Sequence, residues 1–134
     1  MSSFTSELII EPLENGKDFQ LKRPFTYHIG SKYSRQWVKV NVNFITDFAS
    51  IPKLLTMLLP AWAKYQKSAV LHDWMYGATH TIFDNGKLRL IKRKRADEIF
   101  YEAMGIEFRD HKSGKFIAWI EYTAVRMFAK FAWR

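Results

Sequence analysis

A chain of 134 residues that is 48% hydrophobic and 16% aromatic can bury a core of its own, which excludes disorder as its native state. Its 21 Lys+Arg against 13 Asp+Glu leave a net charge of +8, which favours anionic partners such as nucleic acid, phospholipid headgroups or acidic polymers. The absence of cysteine excludes disulfides and thiolate metal sites.

The N-terminal stretch MSSFTSELIIEPLENG has neither the basic start nor the apolar run of a secretory signal. Strand signals follow. Glu7–Ile10 is short and apolar, Asn15-Gly16 is a turn dipeptide, and Phe19–Leu21 and Phe25–Ile29 read as strands. Gln36–Phe44 is the clearest strand: Val38, Val40, Val42 and Phe44 alternate with Trp37, Lys39, Asn41 and Asn43. The pattern then changes. Asp47 or Ser50 caps a short helix over Lys53–Leu59, and Pro60 ends it. Ala61–Gly77 reads as a second helix with Gly77 as its stop. Asp84-Asn85-Gly86 is a further turn, in a hairpin or a loop. Lys92–Met104 predicts a third helix ended by Gly105, and Lys115–Trp133 a fourth. The fourth shows a stripe of Phe116, Ile120, Ala124, Met127, Phe128 and Phe131 at helical spacing. Glu121, Arg126 and Lys130 break its apolar run, so no window reaches the ~18 uninterrupted apolar residues of a membrane span. Strands first and helices after predict an α+β fold: a small antiparallel sheet over residues 1–45 and a bundle of three to four helices over 46–134, in one domain.

The stretch Ala69–Tyr76, AVLHDWMY, sets His72 and Asp73 inside an apolar helix. His72 and Tyr76 are four apart and share a face, whereas Asp73 points about a quarter-turn away. The two polar groups therefore address different partners. On the next long helix Asp97, Phe100, Tyr101 and Met104 share a face. With these helices adjacent, Asp97 reaches the His72 ring, holds one nitrogen and leaves the other as a general base. Asp73 is then available to a hard cation, which takes oxygen ligands. The bland alternative is a hydrogen-bonded core histidine with Asp97 answering Lys94 or Arg95 on a solvated face.

His72-Asp73-Trp74-Met75-Tyr76 and Ala96-Asp97-Glu98-Ile99-Phe100 resemble the paired helices of the secreted phospholipase A2 superfamily: a His-Asp with an aromatic three positions on, facing a second helix with an Asp. The spacing between His72 and Asp97 resembles the short bacterial and fungal members. The resemblance implies that His72 activates water, Asp97 orients it, and Asp73 binds Ca²⁺, which polarises an ester carbonyl. Thr46–Pro52 occupies the place of that family's calcium loop but has no glycine, and the family's disulfides are absent. A second resemblance covers most of the chain from Phe44 onward. The order Thr46-Asp47-Phe48-Ala49-Ser50-Ile51-Pro52, then Ala69–Tyr76, then Ala96–Met104 is similar to a family of small phage and prophage proteins, which implies phage origin.

In either case Asp47, Ser50 and Tyr76 are candidate pocket residues. Asp47 is a further ligand candidate; Ser50 lines the pocket or acts as a nucleophile with His72 as its base. The capping role of the same loop is compatible with both. Lys87, Arg89, Lys92, Arg93, Lys94 and Arg95 form a cationic cluster at a helix start, where the macrodipole is already positive. Three functions are consistent with these features. One is a phospholipase A2-like hydrolase acting on an ester or lipid. Another is a non-enzymatic virion component, in the tail or in assembly, that docks on other phage structural proteins. The third is a phage protein that binds a host protein or nucleic acid through its basic surface. Each places the chain in the host cytoplasm or the virion.

Overall fold

The structure, a computed structural model, describes residues 3–5, 7–16, 18–46, 67–110 and 114–133. The helix expected over Lys53–Leu59, the opening of Ala61–Gly77, and the candidates Asp47 and Ser50 lie outside the described residues.

Strands β1 (Ser3–Phe4), β2 (Ile10–Pro12), β3 (Phe19–Leu21), β4 (Phe25–His28), β5 (Gln36–Val40) and β6 (Ile45–Thr46) precede the helices. Helix α1 (Lys67–Asp73) runs into a π-helical turn over Trp74–Ala78. A hairpin of β7 (Thr81–Asp84) and β8 (Lys87–Leu90) follows, then α2 (Arg93–Glu107), α3 (Gly114–Phe128) and a 3₁₀ turn over Lys130–Ala132. The architecture is α+β. One antiparallel sheet has the order β1-β4-β5-β7-β8, and a smaller one the order β2-β3-β6. The hairpin comes from the helical half of the sequence yet completes the main sheet, pairing Gln36 with Asp84 and Trp37 with Phe83. Asn85 (φ 53°) and Gly86 (φ 82°) both adopt left-handed backbone, as a tight two-residue hairpin requires.

The clearest predicted strand is shorter than its alternation. Val38 and Val40 are buried and Lys39 is exposed, but the chain leaves the sheet after Val40. Asn43 takes φ 71°, and the Asn43 and Leu21 amides donate to Leu21 and Phe44 carbonyls, which passes the chain to the second sheet. Val42 is consequently exposed.

Buried Tyr27, Val38, Val40 and Ile82 of the sheet and Val70, Leu71, Met75, Ile99, Phe100, Met104 and Val125 of the helical part belong to one hydrophobic core. Helix α2 does not stop at Gly105 but continues to Glu107. The physical reason lies in α1. Glu107 accepts the amides of Lys67 (3.0 Å) and Ser68 (2.6 Å) and the Ser68 hydroxyl, so the last turn of α2 caps the first turn of α1. Glu107→Ala should cost about 1–2 kcal/mol of stability in urea unfolding, in the range of a lost cap. Helix α3 begins at Gly114, where a Cβ would overlap the Phe108 carbonyl oxygen.

The predicted apolar stripe of the last helix is only in part its core face: Ile120 and Ala124 pack against the core, but its other members do not. Ile117, Ala118, Glu121 and Val125 are buried, whereas Phe116, Trp119, Met127, Phe128 and Phe131 are exposed. Both stripes have helical spacing, and contact with α2 selects the one with smaller side chains. Tyr101, expected on the inner face of α2, instead lies outside the core and stacks on Tyr122 at 4.9 Å. Among the described residues no helix is long and apolar enough to cross a membrane.

Candidate active site

Helix α1 presents the apolar run Ala69-Val70-Leu71 just ahead of His72, so the imidazole is carried into the core, where it is fully buried. It lies between the rings of Tyr76 (centroids 4.1 Å) and Phe100 (4.4 Å). Its Nε2 lies 2.8 Å from Asp97 Oδ1. The Tyr76 hydroxyl donates to the same oxygen at 2.5 Å. Arg126 Nη1 donates to Oδ2 at 2.8 Å, and Arg93 Nη1 is 3.7 Å from Oδ2. Arg93 also donates to the Tyr76 hydroxyl and to the carbonyls of Val125 and Arg126, where cations are favoured by the end of α3. One buried carboxylate thus ties α1, α2 and α3 together.

Burial pushes the His72 pKa below its ordinary value, although the hydrogen bond and charge of Asp97 pull the other way. Burial alone would raise the Asp97 pKa, but hydrogen bonds from His72, Tyr76 and Arg126 outweigh it and hold the carboxyl below the ordinary range. Burial first, then Asp97, raises the Tyr76 phenol and keeps it a donor. A neutral ring beside an ionised acid fixes the tautomer: Nε2–H donates to Asp97, and the lone pair is on Nδ1.

The expected pairing of His72 with Asp97, with Tyr76 on the same face, is therefore present. Asp73 does point elsewhere, accepting the hydroxyl of buried Thr46 at the end of β6. Among the described residues Asp73 and Thr46 bring one carboxylate and one hydroxyl together, and the further ligand candidate Asp47 lies outside the described residues. Among the described residues no group of three or more His, Asp or Glu side chains converges as a metal site. His80 is engaged by the Tyr76 carbonyl and stacks on Trp133 at 3.7 Å.

From sequence Arg93 is expected only in the cationic cluster and Arg126 only as a break in the apolar run of the last helix; neither is expected at this site. Arg93 stands four residues before Asp97 on one helix, a spacing that signals an ion pair. Arg126 comes from a different helix, and no local pattern marks it.

The profile of a family described as Protein of unknown function (DUF1353) matches residues 19–125. The chain belongs to the DUF1353 family. In this DUF1353 protein the matched span runs from β3 into α3 and holds His72, Asp73, Tyr76, Arg93 and Asp97, with Arg126 just beyond it. No curated protein and no solved structure matches the chain.

Proposed function

We propose that this DUF1353 protein is a hydrolase of an ester or lipid bond, with His72 as general base and Asp97 as the residue that positions it. The observation that carries this reading is the 2.8 Å bond from His72 Nε2 to Asp97, reinforced by Tyr76 on the same oxygen. It supports a neutral imidazole whose basic atom is Nδ1. Because the ring is fully buried in the resting fold, the reaction requires the layer over His72 to open and admit water and substrate; a water at Nδ1 then gives its proton to the ring as its oxygen bonds to the carbonyl carbon. The tetrahedral adduct then collapses, the bond to the leaving alkoxide breaks, and that oxygen takes the proton back from His72. Exposed Phe116, Trp119, Met127, Phe128 and Phe131, with Lys115 and Lys130 beside them, support a lipid aggregate as the substrate surface.

The test is hydrolysis of a panel of phospholipids and short-chain esters by purified protein. His72→Gln should lower the rate by about 10²–10⁴, the usual weight of a general base, while circular dichroism still reports a folded chain. Activity that survives His72→Gln removes the reading.

One observation favours a second reading. The complete burial of His72 suits a structural tie between helices. The chain would then be a non-enzymatic phage virion component, in the tail or in assembly; its phage origin rests on the three ordered motifs. Mass spectrometry of purified particles should find it at fixed copy number, and absence from particles would count against this.

A further inference from the structure

Strand β8 is an edge of the main sheet, and all four of its residues are exposed. The Ile91 amide donates to His80 O at 2.8 Å, and the register pairs Lys87 with Asp84 and Arg89 with Ile82. Main-chain groups alternate along a strand, so those of Lys87, Arg89 and Ile91 point at β7. Those of Leu88 and Leu90 point outward, and β8 has no strand on that side among the described residues.

The side chains alternate as well. Lys87 and Arg89 share the sheet face of Ile82 and Asp84; Leu88 and Leu90 share the opposite face with Phe83. Each face carries a groove beside the edge. On the helix side a groove of about 450 Å³ is lined by Arg89, Lys92, Lys94, Arg95 and Glu98, with Leu90 at its edge. Arg89 is paired with Asp84 at 2.8 Å, and Arg95 reaches Glu98 at 4.0 Å. Lys87, Lys92 and Lys94 have no ion-pair partner among the described residues. On the other face a groove of about 360 Å³ is lined by Lys39, Trp74, Thr81, Phe83 and Leu88. Leu88 is 64% exposed and Leu90 79%.

We propose that β8 docks an extended segment of a partner protein whose side chains alternate acidic and apolar. The segment adds a strand to the sheet: its main chain pairs with Leu88 and Leu90, its carboxylates face Arg89, Lys92 and Lys94, and its apolar side chains cover Leu88, Leu90 and Phe83. Charge selects this occupant. A second copy of β8 would set cations opposite cations, which is destabilising. A nucleic acid would satisfy the cations but not two exposed leucines and a row of unpaired amides and carbonyls. The acidic segment satisfies all three.

The probe is an acetylated, fluorescein-labelled peptide of four Glu-Val repeats, titrated by fluorescence anisotropy, with a Lys-Val repeat as control. Saturable binding of the acidic peptide alone is expected. Leu90→Pro removes one outward amide and no bond to β7, and an edge tolerates proline. It should weaken binding at least about tenfold, as should Lys92→Glu combined with Lys94→Glu, a change at exposed positions that keeps the test valid should Leu90→Pro fail to fold. In the unmodified chain, hydrogen exchange should slow at the Leu88 and Leu90 amides when peptide is added. The proposal is overturned by no saturable peptide binding, by Leu90→Pro folding and binding as tightly as the parent, or by unchanged exchange at those amides. It is equally overturned if a single-stranded oligonucleotide binds more tightly than the peptide, or if sedimentation shows a dimer that Leu90→Pro dissolves.

Discussion

Asp97→Ala is expected to remove about 3–5 kcal/mol of stability, the cost of breaking a buried charged network from one side. Three donors lose their acceptor together: His72 Nε2–H, the Tyr76 hydroxyl and Arg126 Nη1. Arg126 is partly exposed and can turn to water. His72 and Tyr76 are fully buried and cannot. Arg93 loses less, because it keeps the Val125 and Arg126 carbonyls. Urea unfolding at pH 7 measures the effect, and a loss below about 1 kcal/mol would show that the carboxylate is not the tie between the helices. Asp97→Asn keeps the shape but sets an amide donor among donors, so it should recover only part of the loss. This outcome is common to the hydrolase and virion readings; His72→Gln separates them.

The second large effect is a loss of stability as pH rises through neutral. Glu121 is buried on α3, 6% exposed, and its pKa is raised to about 8, first by burial and then by the negative charge of Glu107. A carboxyl that keeps its proton in the fold, but has an ordinary value of 4.5 when unfolded, stabilises fully only below 4.5. The native state then binds the extra proton, and stability falls as pH rises through that value toward about 8. Glu107, raised by its own burial against the Ser68 and Lys67 hydrogen bonds, adds in the same direction. His72 acts oppositely. Its lowered pKa contributes fully above the unfolded value of 6.5 and is lost as pH falls below that. The His72 slope opposes that of Glu121 in mild acid, so the net fall should be shallower there, and stability should drop by about 2 kcal/mol between about pH 6.5 and 8.5. Glu121→Gln should remove most of that drop, leaving the share of Glu107, and make the variant more stable than the parent at pH 8.5. Parallel alkaline slopes for the two proteins would show that Glu121 is not the group responsible.

Several features of this protein followed from local chemistry alone. The α+β class and the turn at Asn85-Gly86 were legible because each depends on short-range spacing, a period of two or a dipeptide that accepts positive φ, whereas the pairing of His72 with Asp97 could be read only on the condition that their two helices meet. The i, i+4 relation of His72 and Tyr76 set both on one side of the future contact before any tertiary structure existed. What only the folded chain decided involves choices between equivalent local patterns. Two apolar stripes of α3 were available, and packing on α2 buried Ile117 and Val125 while leaving Phe116 and Phe128 outside. Gly105 was a credible helix stop until the amides of α1 needed Glu107 two residues later. Arg126 joined Asp97 from another helix, and the β7–β8 hairpin joined β5 from the far side of α1 in the sequence. Such choices are settled by which surfaces meet and which buried donors find acceptors, quantities that belong to the whole chain and to no window of it.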